Sequence, residues 1–241
     1  MKRMKFTENM KTKDKKTMDK KGVILLSSGL DSLVSLYMAK KECDIVLALT
    51  FDYGQKAAWD EINAAKKITS KFNIEHKIVE LPFLKKAVNN ALTDDSKTLE
   101  FDELGVNSMK AVWIPNRNGL FLNIAAMYCD SLNLDCIIFG ANKEEAETFS
   151  DNSVEFSKAA DEFFKFSTLK KPKILAPCVN LEKYEIVQKG VNLNVDFSLL
   201  KSCYNSIQKT GKTHCGKCES CKRLYGAIVK SNNKNLLNII F

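Results

Sequence analysis

Short apolar runs alternate with amphipathic segments along most of the chain, and this alternation predicts its secondary structure. Uninterrupted apolar runs are typical of strands buried on both faces, whereas apolar residues at helical spacing indicate helices that cover a sheet. The pattern predicts strands at 22–26, 44–50, 74–81, 136–139 and 173–176. It predicts helices at 31–41, 57–72, 84–92, 118–133 and 154–167, and another helical pattern begins at Lys183. Strands separated by helices indicate a parallel sheet with right-handed crossovers.

The net charge of +8 is unevenly distributed along the 241 residues. Residues 1–20 carry eight Lys and Arg against three acidic residues, and 201–230 carry seven against one. The rest of the chain is mildly acidic, so we expect no nucleic-acid partner. No apolar run reaches the roughly 18–20 residues of a membrane helix, and the N-terminus lacks the apolar stretch of a signal peptide. A cytoplasmic protein without a membrane partner is expected.

A short polar loop follows the first predicted strand. Its sequence is Ser27-Ser28-Gly29-Leu30-Asp31-Ser32. At the start of a helix, free backbone N–H groups favour an anion, and the serine hydroxyls could donate to phosphate oxygens. Glycine permits close approach of a ligand to the backbone, and the Asp31 carboxylate could hold Mg²⁺. The same composition is also typical of an ordinary Ser/Asp helix N-cap.

Other polar residues are expected at the same edge of the sheet, because ligands of such sheets bind beyond the carboxyl ends of the strands. Asp52-Tyr53-Gly54-Gln55 follows the second predicted strand, and Gly140-Ala141-Asn142 follows the fourth. Arg117 offers a forked donor suited to phosphate or carboxylate. The ammonium of Lys183 could reach a phosphate. Taken singly, these residues are equally typical of turns and solvated surface.

Half of the eight cysteines cluster near the C-terminus; they are Cys203, Cys215, Cys218 and Cys221. Their spacing, C-x₁₁-C-x₂-C-x₂-C, is typical of a tetrahedral structural zinc site, in which a complete shell leaves no open position for water. An iron–sulfur cluster is the alternative, and the neighbouring His214 could compete as a ligand. The other cysteines lie among apolar residues and are expected to be buried; they are Cys43, Cys129, Cys136 and Cys178.

The predicted fold class is therefore α/β, with a doubly wound parallel five-stranded sheet and a small C-terminal zinc-binding module. We expect a disordered basic leader at 1–20, an α/β domain that binds a phosphate ligand at 21–200, and a four-cysteine module with a helix at 201–241. The chain is long enough for one large domain and such an appendage, but not for a second catalytic domain.

The loop sequence resembles the SGGxDS pyrophosphate loop of the PP-loop ATP pyrophosphatases. Together with TFDYGQ, IPNRN, GAN and SCY…HCGKCESC, in this order, it resembles the QueC family of 7-cyano-7-deazaguanine synthases over residues 21–227. The resemblance implies an adenine nucleotide alpha hydrolase-like fold and a homodimer. It implies conversion of 7-carboxy-7-deazaguanine and ammonia to the nitrile preQ0 in queuosine biosynthesis, through an adenylated carboxylate and an amide. ATP as substrate, Mg²⁺ with the ATP and one structural Zn²⁺ are implied as well.

The resemblance also assigns site residues. The implied nucleotide-contacting segment comprises Leu26, Ser27, Ser28, Gly29, Leu30, Asp31, Ser32, Leu33, Val34, Ser35 and Leu36. The implied catalytic residues are Asp31, Ser32, Arg117 and Lys183. The length leaves no room for a glutaminase domain, so ammonia is expected to come from solution.

The chain departs from the family pattern after the fourth strand, where GANKEEAETFSDNSVEF stands for the usual GxNxxDxxxYPDCRPEF. Smaller departures occur at Ser28, at 56–57 and at Asn116. Because the altered segment would face the acceptor, an amide-forming ligase for another carboxylate is one alternative. A tRNA-modifying PP-loop enzyme such as a thiolase, with Cys129 or Cys136 in catalysis, is a second. A zinc-stabilised nucleotide-binding module without turnover is the third.

Overall fold

A computed structural model describes residues 19–88, 90–100, 106–206 and 213–241. Residues 1–18 of the predicted leader, and 207–212 of the predicted C-terminal module, lie outside the described residues. The strands are β1 (Lys21–Leu25), β2 (Asp44–Asp52), β3 (Glu75–Glu80), β4 (Cys136–Ile138) and β5 (Lys173–Leu175). The helices are α1 (Leu30–Ala39), α2 (Ala58–Phe72), α3 (Pro82–Ala87), α4 (Val106–Val112), α5 (Arg117–Leu132), α6 (Lys143–Ala146), α7 (Val154–Ser167), α8 (Lys183–Asn192), α9 (Glu219–Lys230) and α10 (Leu237–Ile240). Short 3₁₀ helices occur at Ser150–Asn152, Phe197–Leu199 and Lys234–Leu236.

The strands form one parallel sheet in the order β3-β2-β1-β4-β5. From β1 the chain first adds β2 and β3 on one side, and then returns to add β4 and β5 on the other. The direction of winding therefore reverses between β1 and β4, and a crevice opens there at the carboxyl ends of the strands. The predicted doubly wound, five-stranded parallel sheet is confirmed.

Alternate residues of β1 point to opposite faces of the sheet and divide the core in two. Val23 and Leu25 pack on one face together with residues of α5 and α7. Ile24 packs on the other face with residues of α1, α2, α8 and α9. All of these strand residues are buried, which explains why β1 reads as an uninterrupted apolar run. The helix that follows the cysteines, α9, belongs to this second core.

Several helical segments differ from the prediction. The helix predicted at 84–92 is shorter and ends at Ala87, because Val88 is extended and Asn90 forms side-chain hydrogen bonds with the backbone of Leu92 and Trp113. Besides this, the short helices α4, α6 and α10 were not predicted. No helix among the described residues combines the length and apolar character needed to cross a membrane.

Candidate active site and metal centre

The loop between β1 and α1 lies at the point where the winding of the sheet reverses. Its Ser28 is fully buried and left-handed, with φ of 65°. The SGGxDS pattern has glycine at this position. For a residue with a side chain, the left-handed conformation costs about 1–2 kcal/mol more than for glycine. The Ser28 hydroxyl donates to the Glu61 carbonyl at 3.2 Å, and this hydrogen bond offsets part of the strain.

The two other serines of this loop are close to one another. The hydroxyls of Ser27 and Ser32 lie 3.2 Å apart, and the N–H of Gly29 donates to Ser27 at 3.4 Å. Gly140, just after β4, packs against the loop so closely that a Cβ there would lie 2.8 Å from the Ser32 backbone nitrogen. The loop is therefore held between two strands, with hydroxyl and N–H donors gathered at the start of α1.

A buried ion cluster lies beside this loop. The Lys183 ammonium is 3.0 Å from Asp31 and 2.8 Å from Glu145. Burial lowers the pKa of Lys183, but the two carboxylates outweigh burial and raise it above its ordinary value. Burial raises the pKa of Asp31 despite the lysine, whereas Lys183 outweighs burial at Glu145 and holds its pKa below the ordinary value. The cluster therefore joins α1, α6 and α8 at the carboxyl end of the sheet.

Two polar atoms in this cluster are buried without a hydrogen-bond partner among the described residues. They are the second carboxylate oxygen of Asp31 and the amide nitrogen of Asn142. An unpartnered buried carboxylate oxygen is costly unless a ligand satisfies it. Carboxylate oxygen is also the ligand that Mg²⁺ prefers, so the donor chemistry at Asp31 fits a magnesium ion that accompanies a phosphate ligand.

Two adjoining cavities open over the sheet. The larger, of about 200 Å³, lies over the loop. The smaller, of about 80 Å³, is lined by apolar and aromatic side chains that include Leu92, Val112, Trp113 and Phe149. The residues that line both cavities are Tyr53, Glu61, Arg117, Glu145, Asn152 and Tyr204. The site therefore has two compartments with a common wall.

Arg117 is the first residue of α5 and part of this common wall. Its Nη1 donates to the Tyr53 hydroxyl at 3.2 Å, and its guanidinium lies 5.7 Å from the centre of the Tyr53 ring. Asn116, which precedes it as the N-cap of α5, is left-handed with φ of 55°. A guanidinium fixed in this way could neutralise charge in either compartment.

The structure brings most of the predicted site residues together and leaves others apart. Those that line the larger cavity are Leu26, Ser27, Gly29, Leu30, Asp31, Ser32, Arg117 and Lys183. The hydroxyl of Ser35 contacts the buried thiol of Cys178 at 3.4 Å. The side chains of Leu33, Val34 and Leu36 pack in the core instead. Cys129 and Cys136 are also buried in the core and line neither cavity.

Several cavity residues were not singled out by sequence reasoning. Glu61, Trp113, Tyr204 and Lys201 are the clearest cases. Glu61 lies on an amphipathic helix among other charged residues, so its spacing resembles that of a solvated face. The sequence signal for Trp113 was weak as well, because the short helix before it was not predicted.

The four clustered cysteines converge on one point. One sulfur from each of Cys203, Cys215, Cys218 and Cys221 lies within 4.8 Å of the others. A tetrahedron with Zn–S bonds of about 2.3 Å has sulfur atoms about 3.8 Å apart, and the Cys215 and Cys221 sulfurs are separated by 3.8 Å. Gly216, with φ of 75°, provides the left-handed turn that brings Cys215 and Cys218 together.

The electrostatics of the cysteine cluster also fit a cation. Hydrogen bonds from Cys218 and Cys221 lower the pKa of Cys203. The hydrogen bond with Cys203 is in turn the main cause that raises the pKa values of Cys218 and Cys221. Ionisation of one cysteine is thus favoured, and ionisation of the next cysteines is opposed. A bound divalent cation would remove this opposition, so the residues fit a metal ion with four sulfur ligands.

His214 is engaged elsewhere and does not compete for this position. Its Nδ1 lies 2.9 Å from the Ile240 carbonyl, which can only accept, so Nδ1 carries the proton. Its Nε2 accepts from the N–H of Ser202 at 3.1 Å. In turn, the Ser202 hydroxyl accepts from the N–H of Leu30 at 3.3 Å. The ring therefore connects the segment before Cys203 to the start of α1.

Fold and site together define an α/β protein with a doubly wound, five-stranded parallel sheet and a polar cavity over the loop after β1. A family model described as queuosine biosynthesis protein QueC matches residues 21–231. The chain belongs to the QueC family, which confirms the resemblance seen in the sequence.

Curated relatives support this assignment over nearly their whole length. The chain is 46% identical over 210 residues to 7-cyano-7-deazaguanine synthase of Carboxydothermus hydrogenoformans, covering 85% of this chain and 96% of the relative. It is 39% identical over 228 residues to the enzyme of the same name from Methanosarcina barkeri, covering 90% and 97%. Among solved structures, NMN synthetase from Francisella tularensis matches at 18% identity and a TM-score of 0.44, covering 88% of this chain and 85% of the other.

Proposed function

We propose that this protein is an ATP-dependent ligase that converts 7-carboxy-7-deazaguanine and ammonia to 7-cyano-7-deazaguanine, a step of queuosine biosynthesis. The observation that carries the proposal is the pair of joined cavities: a loop suited to pyrophosphate opens into a smaller aromatic compartment suited to an acceptor. The identity to named synthases over almost their full length supports the same reaction.

The chemistry explains why both compartments are needed. A carboxylate is a poor electrophile, so one ATP first transfers AMP to the acceptor carboxylate and pyrophosphate leaves. Ammonia attacks the acyl adenylate, AMP leaves, and an amide forms. A second ATP adenylates the amide oxygen, and pyrophosphate and one amide proton leave. Loss of AMP and of the second amide proton then gives the nitrile. Each activation requires the acceptor to meet the α-phosphate of ATP at the common wall of the two cavities.

The residues of the loop are assigned as follows in this proposal. Ser27, Gly29 and Ser32 donate hydrogen bonds to ATP phosphates, and Asp31 holds the Mg²⁺ that accompanies them. Lys183 and Arg117 neutralise the charge that develops during adenylation. Mg²⁺ would supply further neutralisation of phosphate charge when bound.

The metal centre has a separate assignment. The four cysteines hold one Zn²⁺ with a structural role, because a complete sulfur shell leaves no position for substrate. The segment 201–241 is proposed as a module whose folding depends on this ion.

Mass spectrometry of the products tests the proposal directly. The protein is incubated with ATP, magnesium, ammonium and carboxy-deazaguanine, and omission of each component serves as a control. We expect the nitrile, with AMP and pyrophosphate, in the complete mixture only. Accumulation of the amide alone would support an amide-forming ligase, and product formation only with tRNA would support a tRNA-modifying enzyme. Binding of ATP without turnover of any carboxylate would support the nucleotide-binding module.

Asp31→Asn is the matched variant, because it keeps the shape of the side chain and removes its charge. It is expected to lower turnover at least tenfold. Asp44→Asn, which is exposed at the amino end of β2 and so at the edge of the sheet opposite the cavities, is expected to leave turnover unchanged. Equal effects of the two substitutions would contradict the role proposed for Asp31.

A further inference from the structure

Within the described part of the chain, two acidic residues that line the smaller cavity, Glu61 and Asp151, form no ion pair. Glu145 pairs with Lys183 at 2.8 Å, and Glu219 pairs with Arg223 at 2.7 Å. The negative charge of Glu61 in the cavity wall is therefore available to a ligand.

The Glu61 carboxylate is held in a fixed orientation by Gln55. The Gln55 side-chain oxygen accepts from the N–H of Tyr53 at 3.0 Å, which fixes which end of the amide is the nitrogen. That nitrogen donates to the Phe51 carbonyl at 2.9 Å and to Glu61 Oε2 at 3.0 Å. Gln55 is buried, so the carboxylate is positioned before any ligand binds. What Glu61 offers to the cavity is hydrogen-bond acceptors.

The described residues compensate the charge of Glu61 only partly. Burial raises its pKa to about 7, and the hydrogen bond from Gln55 and the more distant positive charge of Arg117 oppose this rise. A ligand that donates hydrogen bonds to the carboxylate would favour its ionised form. Donors on the ligand thus gain more here than they would at a carboxylate that already has a lysine or arginine partner.

The lining of the smaller cavity also includes a flat aromatic surface. The rings of Trp113 and Phe149 are stacked, with centroids 4.9 Å apart and an interplanar angle of 6°. Leu92 and Val112 complete the apolar lining. Such surfaces bind planar heteroaromatic rings, for which a few oriented polar groups then provide specificity.

We propose that the smaller cavity binds the acceptor as a planar heterocycle with two adjacent donors, a ring N–H and an exocyclic amino group, and that the Glu61 carboxylate accepts from both. This identifies Glu61 as a specificity-determining residue, and it rests on the proposed function for the identity of the acceptor. The equivalent edge of adenine has one donor and one acceptor. A carboxylate can accept from the first but repels the second, so the pairing also keeps the adenine of ATP out of this compartment.

Fluorescence provides a binding assay that is independent of turnover. The chain has two tryptophans, of which Trp59 is 56% exposed, so in a Trp59→Phe background the signal comes from Trp113 in the cavity. The probe is 7-deazaguanine, which has both donors and no carboxylate. We expect saturable quenching by 7-deazaguanine, and binding about tenfold weaker or more for 7-deazahypoxanthine, which lacks the amino group. Equal affinities in the wild-type cavity would overturn the proposal.

Substitution of Glu61 provides a second test in the same binding assay. Glu61→Gln keeps the size but replaces one acceptor with a donor, and it is expected to weaken 7-deazaguanine binding by about 10- to 100-fold. The matched control is Glu75→Gln, whose carboxylate is 60% exposed beside Lys77; it is expected to bind as the parent does. If Glu61→Gln binds 7-deazaguanine as tightly as the control, Glu61 does not contact the base.

Two results separate this proposal from the proposed function. Tight 7-deazaguanine binding that depends on Glu61, without nitrile formation from carboxy-deazaguanine, would refute the reaction and retain the base site. Nitrile formation with a Glu61→Gln variant that has an unchanged KM for the acceptor would retain the reaction and refute the base site. Displacement of 7-deazaguanine by a non-hydrolysable ATP analogue would also refute it, because the cavity would then hold adenine.

Discussion

Lys183 allows the charge balance of the candidate active site to be tested by a single substitution. Lys183→Met keeps most of the length of the side chain and removes the ammonium that lies 3.0 Å from Asp31 and 2.8 Å from Glu145. The side chains of Lys183 and Asp31 are only 11% and 15% exposed, so water from the cavity compensates only part of the lost ammonium charge. Removal of one partner from a buried ionic group typically costs about 3–5 kcal/mol. That is a large part of the roughly 5–15 kcal/mol that stabilises an ordinary domain.

The loss of stability is expected to depend on pH. In the variant, burial and mutual repulsion raise the folded-state pKa values of both Asp31 and Glu145 above their unfolded values. A carboxyl group with a raised folded pKa is tolerated while protonated, and it destabilises the fold as the pH rises through that pKa. The difference between variant and wild type is therefore largest near pH 8 and becomes smaller towards pH 5. In the wild type, Glu145 has a lowered pKa, so its contribution is lost only in more acidic solution.

Urea unfolding at pH 5, 6, 7 and 8 measures this difference. The matched control is Lys143→Met, whose ammonium is 54% exposed and 3.6 Å from Glu182; an exposed pair of this kind contributes less than about 1 kcal/mol. We expect a large, pH-dependent loss for Lys183→Met and a small, constant loss for Lys143→Met. Equal losses, or a loss for Lys183→Met that does not change with pH, would refute the reasoning.

Three further substitutions test other parts of the site. Cys218→Ser is expected to lose bound metal, measured by elemental analysis, and to have a lower melting temperature, measured by calorimetry. The control Cys178→Ser, which changes a buried thiol outside the cluster, should retain the metal. Normal metal content in Cys218→Ser would argue against a four-sulfur site. Ser28→Gly relieves the strain of a left-handed residue but loses a hydrogen bond. The free energy of unfolding, measured in urea, should therefore change by less than about 1 kcal/mol. A larger loss would mean that the hydrogen bond of the hydroxyl stabilises the fold by more than the strain destabilises it. Ser202→Ala removes the acceptor of an N–H at the start of α1 and should cost about 1 kcal/mol and raise the KM for ATP several-fold; an unchanged KM would show that this contact does not position the loop.

The strands and the loop after β1 could be predicted because their signals are local. An apolar run buried on both faces, a polar turn and an amphipathic helix each follow from neighbouring residues. The cysteine site was predictable for the same reason, since its ligands have a short and regular spacing. The departure at Ser28 was visible in the sequence, but its left-handed φ and its hydrogen bond to Glu61 were not.

Contacts between distant parts of the chain could not be predicted. Lys183 and Asp31 are 152 residues apart, and no spacing rule relates them. A lysine at a helix start is ordinarily exposed, and only the packing of α8 beside α1 brings its ammonium to the loop. Glu61 was missed because its helix, α2, has a polar face along its whole length, on which Glu61 looks like a surface residue. The cavity that Glu61 lines forms only when α2, α4 and α5 come together.

The four cysteines lie beside the segment that holds the loop after β1, so a metal ion bound by them could act on the loop without a catalytic position. Cys203 directly follows two residues that hold the loop: the N–H of Lys201 donates to the Ser28 carbonyl at 2.8 Å, and the Ser202 hydroxyl accepts from α1. His214, next to Cys215, fixes the Ser202 backbone from the other side. Because the free energy of metal binding is also folding free energy, an ion held by the cysteines would restrain 201–203 and so hold the strained loop in the conformation that accepts phosphate. Metal removal should therefore weaken ATP binding before it unfolds the sheet, although no ligand of the ion touches the nucleotide.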